Sequence, residues 1–192
     1  MSSYIAFEGT RKIIQGDLVQ VAQAVKSVQD RGERSPVLIF EESTSELVAL
    51  DLRGTIDEAI AKLSAFISFE KIPDSLEHAP VRPGRPKLGV VAREVTLLPR
   101  HWDWLNMQPG GASVALRKLV EEARKANVNR DKIRQAQEVT YRFCNAMAGN
   151  ESYFEEAIRA LFAGNSARFE EHTQTWPIDV RDHARKLAGN AW

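Results

Sequence analysis

The run REVTLLPRHWDWLNMQPGGASVALRKLVEEARK, residues 93–125, decides how the middle of this chain folds. Strand-forming residues over 90–98 end at Pro99, which suits the first position of a helix. That short helix stops at the Pro-Gly-Gly break of residues 109–111, and Ser113 is placed as the N-cap of a second helix. We therefore predict a strand–helix–helix unit over residues 90–126. The second helix carries one apolar stripe at helical spacing: Leu116, Leu119, Val120 and Ala123.

This order of elements resembles the ribbon-helix-helix fold, in which two chains pair their strands into a ribbon that lies in the major groove of DNA. By alternation, Val95 and Leu97 face the core and Thr96 faces outward. The resemblance implies base contacts from exposed ribbon side chains and a phosphate at the N-terminus of the second helix. The implied contact residues are Arg93, Thr96, Arg100, Ser113, Arg117 and Lys118. An ordinary edge strand packed under two helices is the alternative.

The segment before this unit, residues 71–89, contains four prolines and two glycines, which indicates an extended linker. Within it, Arg82-Pro83-Gly84-Arg85-Pro86-Lys87 resembles the core of an AT-hook. A Gly-Arg-Pro core keeps the backbone slim, so that Arg85 can enter the minor groove while Lys87 lies beside a phosphate; Arg82 is a further DNA-binding candidate of this arm. A stiff, solvated linker without a nucleic-acid partner is the alternative.

The two ends of the chain predict an α+β protein. Over residues 1–70 the pattern is ββαββα: short strands around Gly9, a helix opening at Asp17, strands at 37–40 and 47–52, and a helix opened by the capping box at 55–58. We expect one antiparallel sheet there, with helices on one face. Residues 127–192 are predicted to be helical, with a helix over 129–147 and shorter helices separated at 149–150, 164–165 and 176–177.

The charge of the chain is zero in total but unevenly distributed. Residues 81–142 carry 13 Lys and Arg against 6 Asp and Glu, while residues 1–80 and 143–192 have net charges of −5 and −2. A uniformly basic coating for nucleic acid is excluded, whereas a local basic patch is not. The basic middle indicates either a polyanion partner or pairing with the acidic flanks in the folded chain.

Catalytic motifs are absent from the sequence. It contains no GxSxG, P-loop or GxGxxG pattern, and the scattered histidines form no metal-ligand pair. The single cysteine, Cys144, lies on an apolar helix and is expected to be a buried, inert thiol. No apolar run is long enough to span a membrane, and the N-terminus has no secretory signal pattern. We expect no metal, no cofactor and a cytoplasmic location.

The run from Arg82 to Lys125 is also similar to the central part of a bacterial family, domain of unknown function 2239. The strand pairs at the N-terminus and the segments 155–162 and 176–187 look similar too. The resemblance covers nearly the whole chain and implies a bacterial cytoplasmic protein. It supplies no settled activity and no catalytic residues.

Three hypotheses follow from the sequence. The favoured one is a homodimeric DNA-binding protein, a transcriptional regulator that is nucleoid-associated and reads double-stranded DNA through the arm and a paired ribbon. The second is a non-enzymatic protein-interaction module, in which the strand 90–98 pairs with a partner chain and the basic middle meets an acidic protein surface. The third is an enzyme whose site is assembled only by the fold.

Overall fold

The computed structural model describes residues 3–32, 35–52, 91 and 93–192, together with Gly54 and Glu58. Over these residues the protein is α+β, with a three-stranded antiparallel sheet and six helices. The strands are β1 (Tyr4–Glu8), β2 (Arg11–Gly16) and β3 (Val37–Glu41). The helices are α1 (Leu18–Asp30), α2 (Pro99–Asn106), α3 (Gly111–Ala148), α4 (Phe154–Phe162), α5 (Ser166–His172) and α6 (Ile178–Ala188).

Two compact units make up the chain. One contains residues 1–72 and 130–192, and the other contains residues 73–129. The sequence-based division separated residues 1–70 from 127–192, yet these segments share one hydrophobic core, which includes Phe7, Phe40, Phe143 and Trp176. The side chains of this core come from segments that are distant in sequence, and a local sequence pattern does not predict contacts of that kind.

The sheet is organised around β1, which lies between β2 and β3. The predicted hairpin around Gly9 is confirmed, because β1 and β2 pair in antiparallel from Tyr4 opposite Gly16 to Glu8 opposite Arg11. Gly9 has φ of 54°, a left-handed conformation that glycine adopts without a steric cost. Strand β3 pairs with β1 on the other side, with Phe7 opposite Leu38.

Both faces of β1 are buried. Ile5 and Phe7 pack against the C-terminal helices, whereas Ala6 packs with the apolar face of α1. The expectation that helices cover one face of this sheet is therefore wrong. The physical reason is that consecutive residues of β1 point to opposite faces and are all apolar from Ile5 to Phe7, so that each face needs its own cover.

The helix predicted to open at Asp17 is confirmed. The Asp17 carboxylate accepts hydrogen bonds from the backbone N–H groups of Val19 and Gln20, each at 2.9 Å, and the Gln20 side chain completes a capping box. The strand predicted at 47–52 does not form. After the turn at Ser45, pairing with β3 consists of the bridge from Leu47 to Phe40 with two backbone hydrogen bonds, from Glu41 N–H to the Glu46 carbonyl and from Val48 N–H to the Ile39 carbonyl. The predicted helix at 55–66 falls outside the described residues, apart from Glu58.

Helix α3 corrects a second expectation. We predicted one helix from Ser113 and another over 129–147, but a single helix runs from Gly111 to Ala148. Residues 126–130 contain no glycine or proline, so nothing removes a backbone hydrogen bond there. Asn127, which favours caps and turns, instead donates its side-chain N–H to the Ala123 carbonyl four residues back, at 2.8 Å. No helix in the described ranges is long and apolar enough to cross a membrane.

The breaks that separate the three C-terminal helices fall at the positions that the sequence predicts. Gly164 (φ 68°) ends α4, and the Asn165 side chain caps α5 by accepting the Arg168 N–H at 3.1 Å. Trp176 is buried before Pro177, with its ring 6.4 Å from that of Phe154 and its Nε1–H donating to the Ser152 carbonyl. These breaks are predictable from sequence because glycine and proline affect the backbone within one or two residues of their own positions.

One titratable side chain lies inside this core. His183 on α6 is buried, with its ring centroid 4.6 Å from that of Phe143 and 5.8 Å from that of Phe7. The pKa of His183 is lowered to about 4, mainly by burial, with the positive charges of Lys186 and Lys12 acting in the same direction and Glu42 opposing them. The imidazole is therefore neutral in the folded protein at neutral pH.

We expect the free energy of unfolding to fall as the pH drops from about 6.5 to about 4. Over this window the unfolded chain binds a proton at His183 that the folded chain does not, which costs up to about 3 kcal/mol of stability. Urea unfolding at several pH values measures the loss. A His183→Leu variant should lose less stability on acidification than the wild type; equal losses would mean that other groups cause the effect.

Candidate nucleic-acid interface

Residues 93–98 form no strand with any part of the chain that the structure describes. Leu98 has extended dihedral angles (φ −66°, ψ 149°), and Pro99 begins α2 as predicted. A strand needs a neighbour to take its N–H and C=O groups, and none of the described residues supplies one. The strand predicted over 90–98 is thus not formed by residues 93–98 with any of the residues that the structure describes. Val95, which was expected in the core, is 53% exposed.

Large apolar side chains are unusually exposed in the unit that contains residues 73–129. Isolated exposed apolar residues are normal, but a concentration of them indicates an interaction surface. Nine occur between residues 91 and 128, whereas this unit's described buried residues include only Leu105 and Ala115. We call these nine the exposed apolar set: Val91, Val95, Leu98, Trp102, Trp104, Met107, Leu119, Val120 and Val128.

The turn before α3 explains where that helix begins. Gly110 and Gly111 have φ of 88° and 74°, which side chains with a Cβ rarely adopt. The helix begins at Gly111, so the expectation that Ser113 is its N-cap is wrong; the double glycine supplies the sharp turn two residues earlier. Ser113 is exposed in the first turn, and its carbonyl accepts a hydrogen bond from Arg117 Nε at 3.1 Å.

The basic side chains of α3 fall into two groups. Arg124 donates two hydrogen bonds to Glu121, at 2.9 and 3.1 Å, and Lys125 lies 3.7 Å from the same carboxylate. The hydrogen bond from Arg124 lowers the pKa of Glu121, which keeps this carboxylate charged. Further along the helix, Arg134 pairs with Asp131 and Glu138, and Arg142 pairs with Glu46. These cations are already partly neutralised.

Arg117 and Lys118 belong to the second group. Neither has a carboxylate partner among the described residues, and both are exposed. With Val114, Glu121, Glu122 and Lys125 they line a shallow depression of about 350 Å³ on the surface of the 73–129 unit. Arg93 and Arg100 are likewise exposed, without a carboxylate partner in the described ranges. Free, exposed cations of this kind are available to an external anion.

The structure therefore places six of the nine predicted contact residues on the surface of one compact unit: Arg93, Thr96, Arg100, Ser113, Arg117 and Lys118. The predicted arm residues Arg82, Arg85 and Lys87 lie outside the described residues. Sequence analysis did not identify Met107, which is 74% exposed, as a surface residue. From their spacing of two on a short helix, one of Trp102 and Trp104 was expected in the core, but both are exposed.

Cys144 is the inert thiol that the sequence predicts. Its side chain is fully buried, and burial raises its pKa to about 12. A thiol that stays protonated at neutral pH is a poor nucleophile. Within the described residues, no group of three or more His, Cys, Asp or Glu side chains is placed to hold a metal ion.

Comparison with known proteins gives one match. A family model described as "Uncharacterized protein conserved in bacteria (DUF2239)" matches residues 3–188. No curated protein and no solved structure matches the chain. The match covers both compact units but names no activity, so the chemistry rests on the side chains described above.

Proposed function

Because this chain belongs to the bacterial DUF2239 family, whose description assigns no activity, we propose from its own residues that it is a homodimeric DNA-binding protein that acts as a transcriptional regulator. In this proposal the unit of residues 73–129 contacts double-stranded DNA. Two copies pair through residues 93–98, and free cations on both copies contact the phosphates. In the arm that contains Arg82, Arg85 and Lys87, Arg85 enters the minor groove beside the ribbon and Lys87 lies beside a phosphate.

The observation that carries the proposal is that the segment 93–98 pairs with none of the residues that the structure describes. It has the composition of a strand, but its side chains are exposed apart from Leu97, which is partly buried. Antiparallel pairing with the same segment of a second copy would satisfy its backbone groups. By alternation Val95 and Leu97 lie on the same face of such a ribbon, and packing of that face in the dimer would cover Val95, which is 53% exposed in the single chain. A ribbon of two such strands fits into the major groove of B-form DNA.

The pattern of charges supports a polyanion partner. Arg93, Arg100, Arg117 and Lys118 are exposed and lack a carboxylate partner within the described ranges, while the cations at 124–125 share Glu121. Each cation that contacts a phosphate releases condensed counterions, which makes binding favourable at low salt. Ser113 lies in the first turn of α3, where backbone N–H groups without an intrahelical partner attract phosphate.

The exposed apolar set also favours a second candidate, a protein-interaction module. Val91, Met107 and Val120 are each more than 60% exposed, and DNA does not cover such side chains efficiently. In this alternative the segment 93–98 adds a strand to the sheet edge of another protein. The two candidates differ in one measurable respect, because only the first predicts affinity for DNA that falls steeply with salt.

The test is retention of mixed genomic DNA fragments by the purified protein over a series of salt concentrations. For an Arg117→Ala/Lys118→Ala variant we expect weaker binding and a plot of log affinity against log salt that is shallower by about four, because the dimer loses two cations from each copy. Arg31→Ala, which removes an exposed arginine at the end of α1, should bind as the wild type does. Absence of DNA retention even at low salt would overturn the proposal and leave the protein-interaction candidate.

A further inference from the structure

A groove of about 520 Å³ lies between α4 and α5, in the unit that contains the sheet. Glu156 and Arg159 come from α4, Asn165 from the connecting loop, and Arg168 and His172 from α5. Two alanines on its floor, Ala160 and Ala163, leave the space open. This volume lies within the range of pockets that bind small molecules.

The arginines of this region differ in their partners. Arg185 donates to Thr173 Oγ1 and Gln174 Oε1, each at 3.0 Å, and to the Glu170 carbonyl. Arg181 pairs with Asp182 at 2.8 Å. By contrast, the guanidinium groups of Arg159 and Arg168 have no carboxylate partner among the described residues. Among the arginines of residues 143–192, the two that line the groove are therefore the two whose guanidinium groups remain available to an external group.

A second observation concerns Tyr153, which precedes α4. It has φ of 63°, a left-handed conformation that is uncommon for a residue with a Cβ, although its side chain is 58% exposed. Its ring centroid lies 6.0 Å from that of His172, a residue of the groove. Strained backbone positions are concentrated at binding sites, where the surrounding structure holds them in place. The exposed tyrosine therefore places an aromatic face beside the groove.

We propose that this groove binds a small hydroxylated organic anion, with Arg159 and Arg168 on its phosphate or carboxylate group. Two guanidinium groups suit the planar or tetrahedral oxygens of such an anion. Glu156 accepts a hydrogen bond from a hydroxyl group of the ligand. The surrounding segment 143–192 is acidic overall, which disfavours a polyanion such as DNA. The site is separate from the residues proposed to contact DNA.

Isothermal titration calorimetry with ribose 5-phosphate, gluconate and ribose tests the proposal. The first two ligands distinguish binding of a phosphate group from binding of a carboxylate group. We expect at least one of the anions to bind and neutral ribose not to bind. Arg159→Gln and Arg168→Gln, both at exposed positions, should each weaken that binding about tenfold or more, because each removes a charge-assisted hydrogen bond. Arg31→Gln is the matched control, in which we expect unchanged affinity.

Two results would overturn the groove proposal. One is the absence of binding by either anion at about 10 mM, where even a weak site is filled. The other is binding that persists unchanged in both arginine variants. DNA retention by the same two variants keeps this test separate from the proposed function, since we expect them to retain DNA as the wild type does.

Discussion

Replacing Val95 with Asp is expected to convert the proposed dimer into a monomer and to weaken DNA binding about a hundredfold or more. In the proposed ribbon, Val95 lies on the face that packs in the dimer, and burying an unpaired carboxylate there is strongly unfavourable. Loss of the dimer also removes the gain that comes from binding two half-sites together. Because Val95 is 53% exposed in the single chain, the substitution leaves the fold of each copy intact.

Sedimentation equilibrium and DNA retention, measured on the same preparations, check this expectation. Ile178→Asp is the control, because Ile178 is 66% exposed but lies on α6, in the unit that contains the sheet. We expect the control to remain dimeric and to bind DNA. A Val95→Asp protein that stays dimeric and binds DNA normally would show that residues 93–98 are not the interface.

The second large effect concerns the shared core. Replacing Phe143 with Ala is expected to lower the free energy of unfolding by about 3–5 kcal/mol. Phe143 is fully buried, and its ring centroid lies 5.5 Å from that of Phe7, 5.3 Å from that of Phe40 and 4.6 Å from that of His183. The truncation leaves a cavity where α3 packs against the sheet, and it removes the ring contacts as well.

Urea unfolding followed by circular dichroism measures this loss. Phe162→Ala serves as the comparison, because Phe162 is 51% exposed and its ring contacts only that of Tyr141 at 5.9 Å among the described aromatic pairs. We expect it to change the free energy of unfolding by about 1 kcal/mol or less. Equal effects from the two variants would contradict a core in which the sheet and α3 depend on each other.

Local features of this protein were predictable from sequence. The capped start of α1 at Asp17, Pro99 at the start of α2 and the break at Gly164-Asn165 all appear in the structure at the expected residues. In each case a side chain or a backbone restriction acts on its immediate neighbours. The buried state of Cys144 was also predictable, because apolar residues flank it on its helix.

Features that depend on distant contacts were not predictable in this way. The apolar run from Ile5 to Phe7 did not reveal that α1 covers one face of the sheet and the C-terminal helices cover the other. The strand composition of residues 93–98 did not reveal that no described residue pairs with it. The sequence pattern predicts which side chains are apolar and favour burial, whereas the structure shows whether other described residues of the chain bury them.

The most direct test of the central claim is a single-cysteine scan of residues 93–98, with and without DNA fragments. Cys144 can remain in place, because its thiol is buried and its pKa is raised to about 12. We predict that mild oxidation gives a covalent dimer fastest at one position near the two-fold axis. The rate of cross-linking should be lower at the positions on either side, and the cross-linked dimer should still bind DNA. Slow cross-linking at the same rate for all six positions would contradict the paired ribbon and the function built on it.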